Sequence, residues 1–143
     1  MPLVKKRREL PLRVEDIMSV PPVTVDMDTS VEKAAKVMDD NSISSVMVVD
    51  RDGKLIGIFT DRDLRYAVAG GKVGKELPIH MMMTENPITI SPGASILEAM
   101  RKMRDADIKH LPVVDKDNKP LGMITMRDIL DAAWLLLEVI APA

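Results

Sequence analysis

The sequence predicts an α+β fold of α/β type, made of two β-α-β-β-α repeats that pack with pseudo-twofold symmetry. The first observation behind this prediction is an internal repeat: residues 65 positions apart match without a gap, as in Pro22 with Pro87 and Thr24 with Thr89. The second is that both copies alternate short β runs with helical periodicity. A unit of about 55–60 residues is only marginally stable alone. The repeats are therefore expected to be interdependent halves of one core.

Each repeat contains the same predicted elements in the same order. A helical turn leads into a short strand, a helix with a serine N-cap, a β-hairpin and a second helix begun by threonine. In the first repeat the elements are Val14–Met18, Val23–Val25, a helix from Ser30, Val46–Val49, Leu55–Phe59 and Asp61–Ala69. In the second they are Ile79–Met83, Ile88–Ile90, a helix from Ser95, Leu111–Val114, Leu121–Ile124 and Met126–Glu138.

Spacing and turn chemistry justify these elements. Val31, Ala34 and Met38 recur at helical spacing, so the first long helix is expected to have one apolar face. The acidic turns Asp50–Gly53 and Asp115–Asn118 each separate two β runs, which is typical of a hairpin. These features predict domain boundaries of 1–13 for a basic tail, 14–69 for the first repeat, 70–78 for a linker, 79–133 for the second repeat and 134–143 for a helical extension ended by Pro142.

Composition and charge exclude several classes of protein. Twenty Lys and Arg oppose 22 Asp and Glu, so the net charge of −2 provides no general attraction to nucleic acid or membranes. Cysteine is absent, which excludes disulfides and thiol chemistry. The N-terminus lacks the apolar stretch of a signal peptide, and the run Ala132–Leu137 is too short to span a bilayer, so a cytoplasmic location is expected. Twelve Met and only three aromatic residues predict an aliphatic, thioether-rich core.

The strongest candidate motif is Thr-x-x-Asp, which occurs as Thr60 with Asp63 and again as Thr125 with Asp128. Each copy follows a strand and opens a helix. One interpretation is purely structural, because a threonine N-cap and an acid three residues later satisfy free backbone N–H groups. The other is a ligand site, because helix N-termini bind anions and an acid there can accept hydrogen bonds from ribose hydroxyls.

Three further motifs point away from catalysis. Gly70–Glu76 resembles a P-loop but has the wrong spacing and no hydroxyl residue after its lysine, so a linker is favoured. Asp50–Gly53 lacks the later acidic ligands of a calcium loop. His80 and His110 fit no catalytic or zinc pattern. Lys109 and His110 precede a strand, where they could either contact a phosphate or remain solvated.

Taken together, the motifs resemble those of tandem CBS domains, the Bateman module. Both copies contain Ile-x-x-Val/Leu-x-Val-Val-Asp, from Ile43 and from Ile108, and Gly-x-x-Thr-x-x-Asp, from Gly57 and from Gly122. The resemblance covers roughly Val14 to Ala133 and leaves no separate catalytic domain. It implies AMP, ADP, ATP or S-adenosylmethionine as ligands in clefts between the repeats, and no cofactor, metal site or catalytic residue.

The resemblance also implies residue roles in two related sites. In one, Asp128 would bind ribose and Thr125 phosphate. In the other, Asp63 and Thr60 would do so. Residues around the adenine would be Met18, Val23 and Ile43, with Ser44 nearby, in the first site, and Met83, Ile88 and Ile108 in the second. Basic residues that could contact phosphate are Lys109, His110, Arg62 and Arg127.

These observations support a non-catalytic module that senses an adenine nucleotide and reports to a regulated protein of unknown identity. The resemblance and the apolar stretch Ala132–Ile140 both favour a homodimer. The alternative is a nucleic-acid-associated dimeric scaffold that uses the basic segment Lys5–Arg8. No membrane association is expected.

Overall fold

The computed structural model describes residues 12–141, so the basic segment Lys5–Arg8 and Pro142 lie outside the described residues. The elements of the first half are α1 Val14–Ile17, β1 Thr24–Asp26, α2 Val31–Asp40, β2 Ser45–Val49, β3 Leu55–Thr60 and α3 Asp61–Ala69. Those of the second half are a 3-10 turn Ile79–Met81, β4 Thr84–Glu85, α4 Ile96–Ala106, β5 His110–Val114, β6 Pro120–Thr125 and α5 Met126–Ile140.

Two sheets form the β layer. One contains four strands in the order β1-β2-β3-β4, with β1 parallel to β2 and the other pairs antiparallel. The other is the antiparallel pair β5-β6. Both predicted hairpins are thus confirmed, as is the α+β class. Helix α5 ends at Ile140, two residues beyond the predicted end at Glu138.

The predicted strand Ile88–Ile90 is wrong. Only Ile90 pairs there, through an isolated parallel bridge to Val113. In the first repeat the backbone N–H of Met47 donates to the carbonyl of Val23 at 3.2 Å. The residue 65 positions after Met47 is Pro112, which has no N–H, so the matching bond to Ile88 cannot form.

The long helices begin as the sequence predicts. The hydroxyl of Ser30 accepts a hydrogen bond from the Lys33 N–H at 3.0 Å, and the hydroxyl of Ser95 accepts one from the Glu98 N–H at 3.1 Å. In α2 the buried residues are those at the predicted helical spacing: Val31, Ala34 and Met38. Each helix therefore packs one apolar face onto its own sheet.

The two apolar cores are interlocked. Val14 of α1 is fully buried in the core of the second repeat, together with Ile90, Ala99, Met103, Leu111, Val113, Ile124 and Ile129. Ile79, from the turn that precedes the second repeat, is fully buried in the core of the first, together with Val31, Ala34, Met38, Val46, Val48, Phe59 and Ala67. Each repeat's core is therefore completed by the segment that precedes the other repeat.

Backbone pairing follows the same exchange. Thr84 in β4 pairs with Ile58 of β3, and Ser19, the residue 65 positions before Thr84, pairs with Met123 of β6. Pseudo-twofold symmetry therefore relates these two pairings, each of which joins one repeat to the segment that precedes the other. The linker is also fastened to the first repeat, because the Gly74 N–H donates to the Glu32 carboxylate at 2.6 Å.

Candidate functional site

A cleft of about 720 Å³ opens where the two repeats meet. One wall is the end of β3 and the start of α3, at positions 60–63 and 65. The opposite wall is formed by positions 84 and 86–88 and by positions 107–110, and residues 125–127 close the remaining edge. A second concavity of about 820 Å³ lies on the outside of the second repeat and contains none of the predicted site residues. We therefore place the candidate site in the inter-repeat cleft.

Thr60 and Asp63 form the polar corner of the cleft. The Thr60 N–H donates to Asp63 Oδ2 at 2.9 Å, and the Thr60 hydroxyl donates to the same oxygen at 3.3 Å. These contacts confirm the predicted capping role. They use one carboxylate oxygen only: among residues 12–141, no hydrogen bond reaches Asp63 Oδ1. The capping and ligand-binding interpretations are thus compatible.

Isoleucines from both repeats provide the apolar surface of the cleft. Ile58 comes from β3 of the first repeat and is almost completely buried, whereas Ile88 and Ile108 come from the second repeat. Ile88 remains 44% exposed, so its side chain is available to a ligand. A flat apolar group could therefore be held between aliphatic side chains.

Cationic side chains gather around the same corner. Arg62 and Arg65 come from α3, Lys109 precedes β5, and Arg127 comes from the first turn of α5. Arg127 also forms an exposed ion pair with Asp131 at 3.3 Å. Because α3 begins at this corner, its free backbone N–H groups add to the positive potential there. The polar end of the cleft is suited to an anion.

His110 lies at the junction of the repeats. Its Nε2 is 2.7 Å from the hydroxyl of Ser44. His110 begins β5 and Ser44 directly precedes β2, so this contact joins the two repeats. Burial lowers the pKa of His110 from its ordinary value, although the nearby carboxylate of Asp61 opposes the shift. Burial therefore favours the neutral ring, and a negative charge beside the ring would favour its protonated form.

Burial acts in the opposite direction on Asp63. It raises the pKa of the carboxyl group above its ordinary value, and the hydrogen bonds from Thr60 only partly offset this. An ionised carboxylate that has lost part of its hydration and has one free oxygen is a strong hydrogen-bond acceptor. A pair of ligand hydroxyls would satisfy it.

The related corner in the second repeat is arranged differently. The Thr125 N–H donates to Asp128 Oδ2 at 2.9 Å, which repeats the capping geometry. Here, however, the Ser19 hydroxyl lies 3.4 Å from Asp128 Oδ1, in position to donate to it. Asp128 is not part of the cleft lining.

The remaining predicted site residues lie in or beside the cores. Met18 packs against the core of the second repeat, and the others pack against that of the first: Val23, Ile43 and Met83. None of these four lines the cleft. The structure thus brings together the predicted residues Ser44, Thr60, Arg62, Asp63, Ile88, Ile108, Lys109, His110, Thr125 and Arg127.

Both repeats match the same known domain. The sequence model of the CBS domain matches residues 14–70 and 75–135, which together span most of the chain. The chain belongs to the CBS domain family. A CBS domain-containing protein of Dictyostelium discoideum is 37% identical over 139 residues, covering 90% of this chain and 96% of that protein. Inosine-5'-monophosphate dehydrogenase of Aquifex aeolicus is 41% identical over 133 residues, but this chain spans only 26% of its length.

Solved CBS structures resemble the whole fold. The CBS domain pair of protein MJ0100, in complex with 5'-methylthioadenosine and S-adenosyl-L-methionine, is 33% identical, with a TM-score of 0.82 over 87% of this chain and 97% of that chain. The CBS domain protein PAE2072 of Pyrobaculum aerophilum, complexed with AMP, is 25% identical, with a TM-score of 0.80 over 90% of this chain and 98% of that chain. The fold is that of a CBS pair.

The CBS pair also presents cleft residues that the sequence reasoning missed. Asp61 and Arg65 lie on the first two turns of α3, and Thr84 and Asn86 lie on the segment that enters the second repeat. The α3 pair could have been found from the helical spacing after Thr60.

No helix within residues 12–141 is long and apolar enough to cross a membrane. In the same part of the chain, no group of three or more His, Asp or Glu residues is placed to hold a metal ion.

Proposed function

We propose that this CBS pair binds one adenine nucleotide per chain in the cleft at Asp63 and acts as a non-catalytic regulatory module. The observation that carries the proposal is the free oxygen of Asp63. It lies at the start of α3, in a cleft that is also lined by isoleucines and by cations. A nucleotide has one part for each of these features: a base, a ribose and a phosphate.

The ribose is assigned to Asp63. Its Oδ2 is held by Thr60, so the carboxylate is fixed in orientation before the ligand arrives. Oδ1 is then available to the ribose hydroxyls. A ligand without such a hydroxyl would leave a desolvated acceptor without its partner, which costs about 1–3 kcal/mol.

The base is assigned to the isoleucine surface and the phosphate to the cationic end. Ile88 and Ile108 come from the second repeat, so the base site requires both repeats. Arg62 lies in the first turn of α3, where a phosphate would also meet backbone N–H groups. Lys109 lines the same cleft, beside the start of α5. The cleft volume of about 720 Å³ lies within the range of small-ligand sites, about 300–1,000 Å³.

Charge favours AMP, ADP or ATP over S-adenosylmethionine at this cleft. The lining contains four permanent cations, Arg62, Arg65, Lys109 and Arg127, against three carboxylates. S-adenosylmethionine carries a positive sulfonium, which these cations would repel, whereas each phosphate adds an attraction. Binding of AMP by a structural neighbour supports this ligand class.

We further propose that the module is a homodimer that joins through α5. Six apolar side chains of this helix are more than half exposed: Leu130, Trp134, Leu135, Leu137, Val139 and Ile140. A second copy of the chain could bury them. Sedimentation velocity is expected to show a dimer for the full chain and a monomer for Trp134→Glu. A monomeric wild-type chain would contradict this part of the proposal.

Calorimetry with Asp63→Ala tests the nucleotide site. Titration of the wild type with AMP, ADP and ATP is expected to give one binding event, and S-adenosylmethionine is expected to bind more weakly. Asp63→Ala is expected to weaken AMP binding by at least about tenfold, since a charged acceptor for the ribose is lost. Asp40→Asn removes an exposed carboxylate outside the cleft and serves as the matched control.

Two results would overturn the assignment. One is the absence of binding by the wild type, and the other is equal binding by the wild type and Asp63→Ala. The regulatory part of the proposal also predicts that AMP, ADP and ATP are recovered unchanged after long incubation with the pure protein.

A further inference from the structure

We propose that the Ser19 hydroxyl occupies the ribose-binding position of the second corner and thereby limits the chain to one nucleotide. This inference rests on the proposed function, because it assumes that the Thr-x-x-Asp corners bind ribose. It concerns the corner at Asp128, whereas the proposed function concerns the cleft at Asp63. Ser19 would act as a specificity-determining residue that a ligand must displace.

The two Thr-x-x-Asp corners share their capping geometry but differ at the second carboxylate oxygen. In both, the threonine N–H donates to Oδ2 of the aspartate at 2.9 Å. At Asp128 the second oxygen has the Ser19 hydroxyl as a donor, 3.4 Å away. The residue equivalent to Ser19 in the other corner is Thr84, which lines the cleft and makes no hydrogen bond to Asp63. Within residues 12–141, the carboxylate of Asp63 therefore has an oxygen without a hydrogen-bond donor, whereas both oxygens of Asp128 have one.

The backbone holds Ser19 in place. Its N–H donates to the Met123 carbonyl at 2.8 Å, and its carbonyl accepts from the Met123 N–H at 3.1 Å. The segment also presses on β6, because a Cβ built on Gly122 would lie 2.7 Å from the Ser19 carbonyl oxygen and 3.2 Å from Val20 Cγ1. The hydroxyl is thus presented to Asp128 by a fixed backbone.

The charge around the second corner indicates which ligand could enter if Ser19 were changed. The positions equivalent to Lys109 and His110 in the first repeat are Ser44 and Ser45, which carry no charge. These two positions therefore add no cation for a phosphate at the Asp128 corner. Adenosine, which has the two ribose hydroxyls and no phosphate, is the suitable probe beside AMP.

The size of the expected effect follows from the Ser19 contact. A separation of 3.4 Å is long for a hydroxyl–carboxylate hydrogen bond, so its displacement should cost little. We expect Ser19→Ala to tighten adenosine binding at the second corner by about three- to tenfold, which is the range for one modest hydrogen bond. In calorimetry at ligand concentrations that leave the second corner of the wild type mostly empty, this would appear as a second binding event.

The experiment compares four proteins by calorimetry with AMP and with adenosine. The wild type and Ser19→Thr, which keeps the hydroxyl, are expected to bind one equivalent. Ser19→Ala is expected to bind two equivalents of adenosine, and Ser19→Ala combined with Asp128→Ala is expected to bind one again. Thermal unfolding of each variant establishes that the fold is retained.

The outcomes separate this inference from the proposed function. One equivalent for both the wild type and Ser19→Ala would overturn the role of Ser19 and leave the Asp63 site intact. Two equivalents for the wild type would do the same. No binding by any of the four proteins would overturn both proposals.

Discussion

At the residue scale, His110 connects the charge of a ligand to pH. Its ring faces the carboxylates of Asp61, Asp63 and Asp128 and the ammonium group of Lys109, and burial keeps its pKa below the ordinary value. A phosphate would favour the protonated ring and raise its pKa. Binding should then take up a proton, so AMP affinity should rise as the pH falls toward the pKa of the free ring, by at most about tenfold per pH unit.

Calorimetry in buffers of different ionisation enthalpy measures this proton uptake directly. The control is His110→Gln, which keeps a polar side chain opposite Ser44 but cannot titrate. It should show only the titration of the phosphate itself, whose second pKa is about 6. Equal proton uptake by the wild type and His110→Gln would contradict the assignment of His110 to the phosphate.

Single residues also mark the limits of sequence reasoning about the site. Thr60 and Asp63 could be predicted because a local motif contains both and its position at a helix start suggests a chemistry. Ser19 could not, because its contact with Asp128 joins residues 109 positions apart and leaves no local pattern. Whether the second oxygen of each aspartate already has a donor depends on such long-range contacts.

At the element scale, Gly122 sets how closely the segment Met18–Val20 approaches β6. Gly122→Ala would place a Cβ 2.7 Å from a backbone oxygen of Ser19, which cannot rotate away. We expect this substitution to destabilise the fold by about 1–3 kcal/mol. The equivalent Gly57→Ala meets only the side chain of Met83, so its cost should be smaller.

Urea unfolding monitored by circular dichroism gives both values. Gly93→Ala is the matched control, because a Cβ there would have no heavy atom within 4 Å. A Gly122→Ala protein as stable as Gly93→Ala would show that the segment moves away from β6 without cost. That result would also weaken the argument that Ser19 is fixed.

Most elements could be predicted because their signals are local. The hairpins and the serine caps depend on residues within a few positions of one another, and they appear as expected. The strand Ile88–Ile90 was wrong because its pairing depends on Pro112, which lies more than 20 positions later. The apolar pattern of a strand does not indicate whether the neighbouring strand has a backbone N–H that can donate a hydrogen bond to it.

At the scale of the whole molecule, the interlocked cores predict cooperative unfolding. Ile79→Ala should cost about 2–5 kcal/mol, and Val14→Ala somewhat less because it removes fewer methyl groups. Val14 comes just before the first repeat but is fully buried in the core of the second. Ile79 comes just before the second repeat but is fully buried in the core of the first. Each substitution should therefore lower the stability of the entire chain in one transition.

The measurement is urea unfolding followed by circular dichroism. Val73→Ala, at an exposed position in the linker, should change the stability by less than about 0.5 kcal/mol. Two separate transitions in either core variant would contradict the interdependence of the repeats. The internal repeat predicted this interdependence from size alone, but it did not reveal which segment completes which core.

The exchange of core segments has a consequence for force transmission. A force applied to the chain ahead of residue 12 would pull on α1. Although α1 comes directly before the first repeat in the sequence, its Val14 is buried in the core of the second repeat. The same segment pairs with β6 through Ser19. A force applied at that end would therefore act first on β6, which ends at Thr125, and on α5, which carries Asp128.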